Sequence, residues 1–244
     1  MRNIRLDICY DGTRYRGWQR LNNSDNTIQG KLEQTLSRIL CEEIEVSASG
    51  RTDAGTHARM QTVSFHCNSN VSCEEILTQL RRYLPEDIGV YSCKDVSPRF
   101  HARLNAKTKT YMYRVWNSEQ PCVFDRKYVL QNPENFDLDS MQYAAALFIG
   151  SHDFSAFCAN KNMKKSTVRH IHTFSVERIG PEIRFVVTGN GFLHHMVRIM
   201  VGTLLEVGRG ERTPESISQL FGANRADAGE LVPASGLCLM EVTY

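Results

Sequence analysis

Eight cysteines stand at positions 9, 41, 67, 73, 93, 122, 158 and 238, and no two have C-x-x-C spacing. That removes the zinc-ribbon and thioredoxin-like arrangements. No apolar run reaches the roughly 20 residues that span a bilayer. The opening MRNIRLDICYDG holds no long apolar region of the signal-peptide kind. The expectation is a cytoplasmic protein with reduced thiols and no membrane segment. A strong net charge is missing as well: the formal balance is +2, so no global field marks a nucleic-acid binder. Metal-ligand spacing is absent among the histidines. His170 and His172 are two apart, and His194 and His195 are adjacent. A ligating pair on one helix face wants i, i+4, and neighbours on a helix point apart. No metal is expected.

What is present fits an ordinary globular protein. The chain has 244 residues, 41% of them hydrophobic and 23% charged, enough for one large domain or two small ones. Its charge is unevenly spread. Between Lys94 and Arg114 six Lys/Arg residues face one acid, Asp95, and between Lys161 and His172 there are four Lys/Arg, two His and no acid. Such local patches suit a phosphate-binding face; a solvated surface is the plainer alternative.

The chemistry gathers in Ala48–Gln61, ASGRTDAGTHARMQ. Gly50, Asp53 and Gly55 within six residues cannot continue a helix or a clean strand, so the stretch reads as a loop. It carries Arg51, Asp53, His57 and Arg59. A carboxylate among guanidinium groups keeps its charge and can serve as nucleophile or general base. Asp-Ala-Gly is equally good turn chemistry and needs no catalytic role to explain it.

In chain order, alternation over Ile4–Tyr10 predicts a strand. TRYRGWQR then sets arginines around Tyr15 and Trp18, which suits RNA, unless Trp18 plugs the core. A helix is predicted over about 27–41, with Ile28, Leu32, Leu36, Ile39 and Leu40 on one face. A strand over 62–67 and a helix opened by Ser72 and Glu75 in a capping-box pattern follow, stopped by Pro85. Strands are predicted over 88–93 and 107–116, the second with Tyr111, Tyr113 and Val115 on one side. A helix over 138–149 precedes a hairpin of 172–179 and 182–188 about Gly180-Pro181. The run 192–207 is apolar nearly all round and reads as a buried helix. Arg198 within it needs a partner, expected to be a carboxylate, because a buried charge is costly unpaired. Thr213-Pro214 opens a short helix that Gly222 ends, and 237–244 closes the chain as a strand. The pattern divides into two α+β halves, 1–105 and 106–244, with a cleft between their sheets.

Eight stretches, taken together, carry a resemblance. They are YDGTRYRGWQ (10–19), TIQGKLEQTL (27–36), GRTDAGTHA (50–58), LPEDIGV (84–90), FHARLNAKTKTYMYRVWN (100–117), GSHDFSAF (150–157), NGFLHHMVRIMVGTL (190–204) and PASGLCLMEVTY (233–244). In this order they resemble the TruA family of tRNA pseudouridine synthases over nearly the whole chain. Thr56 departs from an expected Val, and Lys109 from a common Arg.

The resemblance implies an α+β pseudouridine synthase fold: two ferredoxin-like halves in one mainly antiparallel sheet, helices on one side, and a central active cleft. It implies isomerisation of uridine at tRNA positions 38, 39 and 40, without metal or cofactor, by a homodimer whose tRNA contacts span both subunits. Asp53 takes the place of the catalytic carboxylate, Tyr111 of the active-site Tyr and Arg198 of the basic residue paired with the Asp. Arg51 resembles the Arg that displaces the target base. Arg14, Arg16, Arg59, Arg103 and Lys109 are the further expected RNA contacts. The same chemistry on another RNA such as rRNA, and an inactive RNA-binding module, are the rival readings; a metal hydrolase lacks ligand clusters.

Overall fold

Ile4, Leu6 and Ile8 are fully sequestered in strand β1, Arg2–Tyr10, which alternation predicts. The structure is a computed structural model and describes every residue except 161, 162 and 164. Lys161 and Lys164 of the second basic stretch therefore lie outside the described residues. Two units emerge: Met1–Lys107 with Leu239–Tyr244, and Thr108–Cys238.

In the first unit β1 pairs antiparallel with β3 (His57–Cys67) on one side and β4 (Ile88–Asp95) on the other. The short β2, Ser47–Ala48, adds to β3. The C-terminal strand, running over Leu237–Thr243, is the other neighbour of β3, and residues from Leu239 onward count with this unit. Helix α1, Ile28–Leu40, starts where Thr27 Oγ1 accepts the Gly30 N–H at 3.2 Å, and buries Ile28, Leu32, Leu36 and Leu40 as one stripe. In α2, Cys73–Tyr83, Ser72 Oγ accepts from the Glu75 amide at 3.1 Å. The Glu75 carboxylate is taken by the Gln79 side chain. The two helices touch each other, and α2 packs on β4.

Asp7 and Arg5 of β1 form a polar cluster in this unit. Arg5 donates to Asp7 Oδ1 through Nε and Nη2 at 2.9 and 2.8 Å, and Ser92 and Thr62 hydroxyls add bonds of 2.7 and 3.0 Å. Tyr244 lays its ring 4.7 Å from the Arg5 guanidinium, and its hydroxyl donates to the Ala102 carbonyl at 2.7 Å. Burial alone would push the Asp7 carboxyl up, but Ser92, Arg5 and Thr62 together hold it below the ordinary carboxylate value. A carboxyl depressed by folding contributes stability that is present above its unfolded pKa and lost as pH falls through the folded one. Wild type is therefore expected to exceed Asp7→Asn in melting temperature at neutral pH. That advantage should shrink only below about pH 4, where a free Asp titrates. Melting curves between pH 2.5 and 7 test this, and an advantage unchanged at pH 2.5 would refute it.

In the second unit β5 (Thr108–Trp116), β9 (Glu182–Gly189), β8 (Val168–Ile179) and β7 (Gly150–Asp153) follow in that spatial order, each antiparallel to the next. A two-residue β6, Leu130–Gln131, runs parallel to the end of β5. Tyr111, Tyr113 and Val115 are buried on one side of β5, as the alternation predicts. Helix α3, Leu138–Leu147, stops short of residue 149. Gly150, at φ +114°, turns the chain straight into β7, an edge strand the sequence reading lacks.

The helix predicted over 192–207 is α4, Met196–Gly208. It is buried all round because the segment 228–232 straps its other side: a Cβ on Gly202 would lie 2.1 Å from the Glu230 carbonyl oxygen. Gly229 N donates to Thr203 Oγ1 at 3.0 Å. Helices α3 and α4 touch; α3 packs on β8 and α4 on β5. No described helix is long and apolar enough to cross a membrane.

Candidate active site

The loop expected over 48–61 is shorter than its residue types imply. His57–Gln61 already belongs to β3, which leaves 49–56 as the turn that carries Arg51 and Asp53. That turn is braced by backbone. Thr56 N donates to the Asp53 carbonyl at 3.1 Å, and Gly55 takes φ +79°. Trp18 N donates to the Thr52 carbonyl at 3.0 Å, Gln61 Nε2 to the Gly50 carbonyl at 2.9 Å, and the Tyr10 and Thr52 hydroxyls meet at 2.8 Å.

Two glycines from the first loop press against the same turn. A Cβ on Gly12 would stand 2.0 Å from the Thr56 oxygen, and one on Gly17, at φ +93°, 2.9 Å from the Thr52 oxygen. His57 is a buried peg beneath it, its Nδ1 accepting the Gly12 N–H at 3.0 Å. The bond that closes the turn is made by main chain, so the turn does not depend on the Asp53 carboxylate for that bond. Asp53 is partly accessible and Arg51 is exposed.

Thr56 is buried, and among the described residues its hydroxyl finds no hydrogen-bond partner. This is the position where the family resemblance leads one to expect Val. Leaving such a group unsatisfied costs about 1–3 kcal/mol. Thr56→Val keeps the shape, so a stabilisation of about 1 kcal/mol is expected, a rise of about 2–4 °C in Tm for a chain of this size. A calorimetric scan decides it; an unchanged or lower Tm would mean the hydroxyl has a partner in solution.

The aromatic half of the RNA reading of TRYRGWQR is corrected. Tyr15 and Trp18 are 5% and 2% exposed, so their rings plug the core, and no base can stack on them. The cations around them do reach solvent. Arg16 is exposed, and so is Arg14, although it holds Asp87 at 2.6 Å. Arg59 on β3, Arg103 in the segment after β4, and Lys94 and Arg99 are exposed as well. Arg114 leaves the basic stretch it was counted in: it pairs with Glu182 and, at 2.7 Å, with Asp125. Lys109, on β5, sits opposite Gly189 in the register.

Tyr111 and Arg198 lie in the second unit. Tyr111 is 8% exposed, and its ring meets Phe192 edge-on, with centroids 5.1 Å apart. Its neighbour Tyr113 donates to the Pro233 carbonyl at 2.8 Å. Burial pushes the Tyr113 phenol up, and the nearby Arg198 charge pulls it partly back. Arg198 Nε donates to the Val232 carbonyl at 2.8 Å. The strap over α4 therefore meets part of the cost of placing a charge in an apolar helix. Phe192 was hidden from the sequence reading inside a helix that in fact begins four residues later.

The same displacement corrects the histidines. His195 sits at φ +64° before α4, and the rings of His194 and His195 meet at 3.7 Å between centroids rather than pointing apart. His170 and His172, both on β8, have centroids 4.6 Å apart.

A profile described as tRNA pseudouridine synthase matches residues 8–105 and 144–244. These segments enclose the braced turn and α4; Tyr111 falls between them. The chain belongs to this family. It is 44% identical to the tRNA pseudouridine synthase A of Bacillus sp. (strain KSM-64) over 244 residues, all of both chains. The tRNA pseudouridine synthase A 2 of Bacillus cereus (strain ZK / E33L) and the tRNA pseudouridine synthase A 1 of Clostridium tetani (strain Massachusetts / E88) are each 44% identical over 245 residues, again with full coverage of both chains. The similarity to these family members extends through residues 106–143, so it includes Tyr111.

Proposed function

We propose that the protein isomerises uridine to pseudouridine in tRNA, at positions 38, 39 and 40 of the anticodon arm. The observation that carries the reading is the Asp53 turn, fixed by main-chain bonds and two close-packed glycines, in a chain of this family. The reaction breaks N1–C1′, turns the uracil and joins C5 to C1′. N1 gains a proton and C5 loses one, with no net redox change. Asp53 can add at C1′ or C6, or take the C2′ proton. Tyr111 lies under the base and helps remove the C5 proton, and Arg198 and Arg51 steady the carboxylate and the displaced strand. Because the target is stacked, the nucleotide must flip out, at a cost of a few kcal/mol. Phosphate contacts from Arg14, Arg16, Arg59, Arg103 and Lys109 offset that cost. The working form is a cytoplasmic homodimer with tRNA contacts from both subunits.

Tritium release from C5-labelled uridine tests this on tRNA and rRNA transcripts. Release is expected from tRNA with uridine at 38–40 and not from rRNA. Release from rRNA alone would reassign the substrate, and release from neither would leave a binding module. Arg198→Lys is expected to fold with a Tm within a few degrees of wild type yet react at least about tenfold more slowly, since a point charge does not reproduce the guanidinium fork. A full rate in this variant would remove Arg198 from the site.

A further inference from the structure

Arg169 opens β8 with its guanidinium held in an unusual way. Nη1 donates to the Ser166 and Val168 carbonyls, at 2.9 and 2.6 Å. These bonds fix the plane of the group and use one nitrogen. Among the described residues, Nε and Nη2 make no hydrogen bond, and no carboxylate lies within ion-pair distance of Arg169. The side chain is only partly accessible, and burial pushes its pKa below the ordinary Arg value, with the Cys158 thiol acting weakly the other way. A charge is thus held partly out of water with its two-pronged edge uncommitted.

The surroundings say what that edge faces. Gly191 lies against it: a Cβ there would be 3.7 Å from Arg169 Nε. Asn190 locks this turn to β8, its amide donating to the His170 carbonyl and its Oδ1 accepting from His170 N, both at 3.0 Å. The next residue, Phe192, makes the edge contact with Tyr111. So the free edge lies against the residue that precedes Phe192, whose ring meets the Tyr111 assigned to the target base. Lys165 is exposed a few residues upstream, and no acid lies between residues 154 and 176. An anion with two adjacent oxygens is the partner this geometry fits.

We propose that Arg169 binds, through Nε and Nη2, a phosphodiester flanking the target nucleotide of the RNA. This rests on Tyr111 underlying the base. The alternative is a structural staple, for which the Nη1 bonds alone suffice.

The test is a chemical double-mutant cycle. Anticodon stem-loops carrying a single neutral methylphosphonate at each phosphate around the target are assayed by C5-tritium release with wild type, Arg169→Ala and Arg169→Lys. Wild type is expected to lose 10–100-fold in kcat/KM at one flanking position. Arg169→Ala should show that loss on unmodified RNA and no further loss at that position; Arg169→Lys, which keeps the charge and the fold, should fall between. The slope of log binding constant against log salt should be shallower by about 0.7–0.9 in Arg169→Ala, one phosphate contact fewer. Equal methylphosphonate sensitivity of wild type and both variants at every position, with the salt slope unchanged, would overturn the proposal. If no RNA releases tritium, the functional reading fails, while the salt slope still decides whether Arg169 meets a phosphate.

Discussion

Asp53→Asn is expected to lower turnover on tRNA by at least about 10²-fold, the lower end of what a general base contributes, while Tm moves by no more than about 1 °C. The structural half of that expectation comes from the turn itself. Its closing bond runs from Thr56 N to the Asp53 carbonyl, and the neighbouring braces at Thr52 and Gly50 are main-chain carbonyls too. Asn is at home in such a turn, so the substitution removes charge and leaves the shape. Single-turnover tritium release beside a melting curve measures both halves. Activity above about a hundredth of wild type would make Asp53 an orienting residue.

Gly12→Ala is the complementary case, in which the chemistry is kept and the scaffold is broken. Its Cβ would lie 2.0 Å from the Thr56 oxygen and 2.7 Å from the Thr56 carbonyl carbon, both main-chain atoms that cannot swing away. Either the end of β1 or the Asp53 turn must shift. Overpacking of this kind costs about 1–3 kcal/mol and occasionally more. A displacement of about 1 Å in a catalytic group can cost about 10²-fold in rate. Loss of both stability and turnover is expected, with Asp53 still present. Gly180→Ala supplies the control: φ is +59° there, but no atom lies within 4 Å of the added Cβ. That change should cost about 1 kcal/mol of conformational strain and leave turnover intact. If Gly12→Ala behaved like Gly180→Ala, the two loops would not be coupled.

These cases show which parts of the molecule were legible in its sequence. Helix starts at Thr27 and Ser72 were readable because a cap is a local event, one side chain meeting an amide three residues on. The two-fold alternation of β5 named its buried face. The start of α4 was not readable, since Phe192–His195 continues the apolar run and only the left-handed turn at His195 stops the helix. Nor was the covering of α4, which comes from residues 228–232, some 30 positions away. Trp18 could equally have been a stacking platform; its burial is decided by tertiary packing that the local pattern does not record. In the same way, the residue types of the Asp53 turn were visible, but its bracing by Gly12 and Gly17 bridges about 40 residues of sequence.

The return of the last strand to the first unit bears on how the protein is made. A ribosome delivers residues 1–107 early, yet Leu239–Tyr244, which completes that unit beside β3, emerges only after the whole second unit has been synthesised. At about 5–20 residues per second the interval is on the order of ten seconds. Throughout it β3, apart from the two residues paired with β2, lacks a neighbour on that side, the kind of open edge that recruits stray strands, and Arg5 lacks the Tyr244 ring that covers it. The unit whose residues 1–107 are made first is thus completed only after the second, and β3, which continues from the braced Asp53 turn, waits on residues 239–244 for its neighbour.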